Sequence, residues 1–178
     1  NSNYGEYKHH TDSYIAKTIY EGYFNKEFDN DLLNEFESKI LDRINKNPIA
    51  GIPGASALIR KLGLDENYDF CFATGSLEKP AKYKLDCLGI SYHSDTLVCS
   101  NKLHSREDIV ETAIQKAKEY YKYMSYGRII SVGDGLWDLI TAKNLGLEFI
   151  GIGNKNKDIL IDNGCTKYFD DLTEIELN

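Results

Sequence analysis

Asp134 and Asp138 stand four residues apart in Gly133-Asp-Gly-Leu-Trp-Asp138, directly after the apolar run Ile129-Ile-Ser-Val132. That order reads as a strand, a turn and a helix start. Both carboxylates can then face one point beyond the strand end, with Gly133 and Gly135 letting the backbone come close. Paired carboxylates in that position suit a hard divalent cation such as Mg²⁺, which takes oxygen ligands and keeps waters and phosphate oxygens besides. A plainer reading makes Asp134 a helix cap and Asp138 a first-turn acid. Upstream, Thr74-Gly75-Ser76 follows the apolar segment Phe70-Cys-Phe-Ala73. Its hydroxyl and turn N–H groups could hold a phosphoryl oxygen, or could simply close a turn. Between the two sites lie the cations Lys102 and Arg106, either of which could offset phosphoryl charge.

The elements that must position these residues can be read from periodicity. Apolar residues at helical spacing predict a helix over Thr11 to Phe24 and a second from Asp29 or Asn30 through Leu33, Phe36, Ile40 and Ile44. Asp29-Asn-Asp31 reads as that helix's acidic start. After Pro53 a short helix ends at Gly63, and strands and helices then alternate. Strands are expected over Tyr68–Ala73, Thr96–Cys99, Arg128–Val132 and Glu148–Ile152, with a last one near Tyr168. Helices are expected over Lys79–Leu88, from a capping box Ser105-x-x-Asp108 to about Tyr123, over Leu136–Leu145, and over Asp158–Asp162. Such alternation implies an α/β fold, a doubly wound parallel sheet with helices on both faces. Ligands of such sheets bind beyond the carboxyl ends of the strands, where all three candidate segments fall.

Composition narrows the classes. The 178 residues carry 21 Lys plus Arg against 28 Asp plus Glu, a net charge of −7. That balance argues against nucleic acid and anionic membrane surfaces as partners. No apolar stretch approaches the about 20 residues of a membrane helix, and the polar start is not a signal peptide, so a cytoplasmic protein is expected. Cys71, Cys87, Cys99 and Cys165 form no Cys-x-x-Cys pair and read as buried small hydrophobes in a reducing compartment.

Taken together, Phe-Cys-Phe-Ala-Thr74-Gly75, a basic residue within Lys102 to Arg106, and Val-Gly-Asp134-Gly-Leu-Trp-Asp138 resemble, in order and spacing, the second, third and fourth motifs of the haloacid dehalogenase-like hydrolase superfamily. The resemblance is to its phosphoglycolate-phosphatase-like branch. It implies a Rossmann-like core over residues 51–178 and a small helical cap over 1–50, with Pro53-Gly-Ala-Ser-Ala-Leu-Ile59 returning the chain to the core. It further implies that Asp134 coordinates Mg²⁺ and Asp138 supports that site. Thr74, with Gly75 and Ser76, would bind the phosphoryl group, and Arg106 or Lys102 would steady the covalent intermediate. Many relatives place Pro after a motif-three Lys; Leu103 follows Lys102 here, which favours Arg106.

The superfamily's first motif, a strand ending in Asp-x-Asp-x-Thr that carries the nucleophile, has no counterpart in the sequence. Asp29-Asn-Asp31 follows no strand and precedes Leu32-Leu33. The expectation is a core without its first strand, with the nucleophile upstream of Asn1. The function implied is hydrolysis of a small phosphorylated metabolite through an aspartyl-phosphate; Tyr14, Tyr20 and Tyr23 could line the cap's inner face, although a tyrosine stripe at helical spacing is more often simply packed. The alternative is a non-catalytic protein that binds phosphate and metal without a nucleophile. A receiver-like signalling domain would leave the two leading helices without a role. Oligomeric state is not readable.

Overall fold

The computed structural model describes residues 7–175. Two helices lead, α1 (Asp12–Phe24) and α2 (Asn30–Ile44). The Asp29 carboxylate accepts the Leu32 N–H at 2.9 Å, so the acidic pair does start a helix. Next come α3 (Ala55–Leu62), β1 (Phe72–Ala73), α4 (Glu78–Cys87), a 3₁₀ turn over Ser94–Thr96, and β2 (Leu97–Val98). Then follow α5 (Arg106–Tyr121), β3 (Ile130–Gly133), α6 (Leu136–Asn144), β4 (Glu148–Ile152), α7 (Lys157–Asp162) and β5 (Tyr168–Phe169).

All pairing is parallel, as the alternation requires, but the strands divide into two sheets, β1-β2 and β3-β4-β5. Phe72 pairs Leu97, Ile130 pairs Glu148, and Gly151 pairs Tyr168. Among the described residues β1 and β3 each keep one edge without a neighbouring strand. Half-burial follows from it: Phe72 and Ala73 are only partly covered and Val132 is 42% exposed.

Apolar faces explain the layers. Ile109 and Ala113 of α5 pack on Val98 and Ala73, covering one side of β1-β2. Leu139 of α6 and Leu160 of α7 close on Phe149 and Tyr168. A third cluster joins Ile150 and Ile152 to Leu58 of α3, Ile52 and Leu172, so the three-stranded sheet has helices on both faces.

Two expectations need correction. The strand read over Tyr68–Ala73 contributes only its last two residues to the ladder, because β2 offers only two partners. The Phe70 carbonyl is served instead by the Tyr121 hydroxyl of α5 at 3.0 Å. The cysteines are not uniformly buried: Cys165 is, Cys71 and Cys99 are half-buried, and Cys87, on the outer side of α4, is exposed. The tyrosines also separate. Tyr20 packs on Phe24 and Phe28, Tyr14 lies beside His9 and His104, and Tyr23 points outward, 82% exposed.

Candidate functional site

Beyond β1 the chain turns sharply into α4. Thr74 donates its N–H to the Val98 carbonyl at 2.9 Å and accepts the Ser76 N–H on its hydroxyl at 3.1 Å. A Cβ on buried Gly75 would stand 2.8 Å from the His10 carbonyl oxygen and 2.9 Å from Arg106 Nη2, so only glycine lets those groups close on the turn. The Ser76 carbonyl accepts the Ser100 N–H at 3.0 Å, which ties the ends of β1 and β2 together.

Beyond β3 the second turn is built around Asp138, the third residue of α6. Its Oδ2 accepts the Gly135 N–H at 3.2 Å, satisfying one of the helix's free donors. Its Oδ1 lies 3.0 Å from Arg106 Nη1. A Cβ on Gly133 would meet the Asp138 side chain at 2.7 Å, so this carboxylate rests on the strand end itself. Burial raises the Asp138 carboxyl above the usual range; the Arg106 guanidinium and the Gly135 N–H pull against that.

Arg106 joins the two turns. It is the first residue of α5, whose Ser105 cap accepts the Asp108 N–H at 3.0 Å. Besides Asp138 it donates Nε to the His10 carbonyl at 3.2 Å and lies 5.9 Å from the centre of the Trp137 ring. Lys102 is exposed in the loop before α5 and forms no ion pair with a described residue. Of the two candidate cations, the structure brings only Arg106 between Gly75 and Asp138.

Asp134 is exposed, and its backbone carbonyl accepts the Asn156 side-chain amide at 2.8 Å. The oxygen donors of Asp134 and Asp138 fit Mg²⁺, which needs only one or two carboxylates beside waters and phosphate. Asp138 has an oxygen on each of two protein donors, so Asp134 offers the more open carboxylate. No group of three or more acidic, His or Cys side chains suited to a metal occurs among the described residues.

The sequence reading missed the segment that leads into α1. The His10 ring stacks on Trp137 with centroids 5.3 Å apart. Buried Thr11 donates its hydroxyl to the His104 carbonyl at 2.8 Å, and Asp12 donates its N–H to the Gly75 carbonyl at 2.8 Å. These partners lie 63 to 127 residues apart, beyond any local spacing rule; Trp137, the one tryptophan, set between the two acids, was the available signal. A cavity of about 510 Å³ opens here, lined among others by His9, His10, Arg106, Trp137 and Ile140.

A parallel α/β fold with a hydroxyl turn, a guanidinium and an acidic pair at its strand ends is the class defined so far. The chain belongs to the haloacid dehalogenase-like hydrolase family, whose model matches residues 4–152. No curated protein matches it. Among solved structures it is similar to a Bacteroides vulgatus protein assigned as a beta-phosphoglucomutase, at 14% identity and a TM-score of 0.64, covering 92% of this chain and 67% of that one. It is also similar to a HAD hydrolase, family IA, variant 3, from Entamoeba histolytica, at 20% identity and a TM-score of 0.64, covering 91% and 75%. At these identities the structural likeness speaks for the fold. Among the described residues no helix is long and apolar enough to cross a membrane.

Proposed function

We propose that the chain forms the phosphoryl-binding part of a Mg²⁺-dependent phosphomonoester hydrolase acting on a small phosphorylated metabolite. The observation that carries this reading is the placement of Arg106 between the Thr74 turn and the Asp134–Asp138 turn, with family membership behind it. In this mechanism the Thr74 hydroxyl and the Gly75 N–H orient phosphoryl oxygens, the Thr74 and Ser76 N–H groups being already donated to the Val98 carbonyl and the Thr74 hydroxyl. Arg106, held in place by Asp138 and the His10 carbonyl, offsets the charge of the transferring group. Asp134, supported by Asp138, would hold Mg²⁺, which when bound supplies further charge neutralisation at the phosphoryl oxygens.

The attacking carboxylate would be that of the superfamily's first motif, borne on a strand that pairs along the open edges of β1 and β3. Its oxygen would displace the alcohol from phosphorus, giving an aspartyl-phosphate that water then cleaves. The helices α1 and α2 would shield the site from bulk water.

The test is a phosphomonoester screen on the native polypeptide, its N-terminus established by intact mass and the coding sequence before Asn1. Phosphate release that requires Mg²⁺ and stops with EDTA supports the reading. Binding of phosphate without turnover would favour the second reading, a pocket without a nucleophile. That alternative draws on the lack of any strand-borne Asp-x-Asp among the described residues.

A further inference from the structure

Helix α4 leaves the Thr74 turn without a cap of its own, since its cap position is Leu77, whose side chain accepts nothing. A helix start needs acceptors for its first free N–H groups. Here they come from distant parts of the chain. The Glu78 N–H goes to Asn101 Oδ1 at 2.8 Å and the Lys79 N–H to Glu37 Oε1 at 3.0 Å. Pro80 has no N–H to satisfy, and Ala81 makes the first bond within the helix, to the Leu77 carbonyl at 3.0 Å. The Leu77 N–H itself points to Asp12 Oδ2 at 3.3 Å.

Glu37 is the unusual member. It is a carboxylate in the middle of α2 whose side chain is only 4% exposed, where charged groups are seldom found unless paired. Its Oε1 also accepts the Asn101 amide at 3.1 Å, and its Oε2 lies 3.2 Å from Lys79 Nζ. Asn101 therefore accepts from Glu78 and donates to Glu37, closing a network across α2, α4 and the segment after β2. Burial alone would raise the Glu37 carboxyl, but the Lys79 N–H, the Asn101 amide and the Lys79 ammonium outweigh it and leave it low.

We infer that Glu37 is a latch: by capping α4 in trans it clamps the α1–α2 pair shut against the core and fixes the first turn of α4, and so positions Thr74–Ser76. Its value to the reaction rests on the hydrolase reading; the latch itself rests on the contacts alone. An ordinary space-filling residue would be replaced equally well by any side chain of similar size. A latch needs an acceptor oxygen, which Gln keeps and Met lacks.

The experiment is hydrogen exchange by mass spectrometry on the native polypeptide without substrate, comparing Glu37→Gln and Glu37→Met with the parent. The expected result for Glu37→Met is exchange at least tenfold faster in residues 30–44 and 77–80, with β4 unchanged. Glu37→Gln should stay within about threefold of the parent. Equal behaviour of the two variants, no change in Glu37→Met, or acceleration that includes β4 would overturn the latch. Because no turnover is read, absence of phosphatase activity would count against the hydrolase reading alone.

Discussion

Arg106 Nη1 lies 3.0 Å from Asp138 Oδ1, although 32 residues separate them and each opens a different helix. The pair links the end of the two-stranded sheet to the end of the three-stranded one, since Arg106 also covers Gly75 and Asp138 also covers Gly133. With one side chain 20% and the other 19% exposed, neither charge is well served by water alone.

Removing the cation should therefore cost more than a surface charge does. Arg106→Ala is expected to lower stability by about 1.5–3 kcal/mol, the usual range for a lost hydrogen bond to a charged group, and to weaken vanadate binding. Lys102→Ala should change neither. Denaturant unfolding and vanadate titration check both; equal effects from the two variants would remove Arg106 from its proposed role.

In the acidic pair, Asp134 carries the exposed carboxylate while Asp138 is held by protein donors. Asp134→Asn should lose Mg²⁺ affinity while the fold stays intact, as read by calorimetry alongside circular dichroism. Unchanged Mg²⁺ binding would sink the assignment.

Acid should loosen the entry to α1. Burial, with Arg106 and His9 nearby, lowers the His10 pKa below 6.5, and burial with Lys17 and His9 lowers that of His104. The unfolded chain then binds protons that the folded one resists. The stability these rings contribute is complete above pH 6.5 and is lost as pH falls through the lowered values. The melting temperature should drop below pH 6.5, and His10→Phe, which can keep the stack on Trp137, should shrink that drop. A curve of unchanged steepness would contradict the account.

Thiol chemistry gives a separate check on packing. Burial pushes Cys71 up to about 11 and Cys99 to about 12, leaving almost no thiolate near neutrality. Exposed Cys87 should be alkylated first in the native protein, with Cys71 and Cys99 reacting only on unfolding. Labelling of Cys99 at the rate of Cys87 would show the β2 region to be open.

Much of the fold was legible because it is local. Helical spacing located α1, α2 and α5, Ser105 was readable as a cap, and the turn after Val132 announced itself through two glycines and two acids. The strand over Tyr68–Ala73 was overread because apolar runs indicate burial, not the length of the partner strand. Cys87 was misplaced because a thiol alone does not say which side of a helix it occupies.

The sequence by itself determined the order of elements, the parallel architecture and the residue types available at each strand end, since these follow from periodicity and turn chemistry within a few residues. Only the tertiary structure decided which cation meets Asp138, that His10 and Asp12 grip the Gly75 turn, and that Glu37 caps a helix 42 residues away. Those choices depend on donors and acceptors left unsatisfied by their own elements. Folding brings their partners within reach from anywhere in the chain.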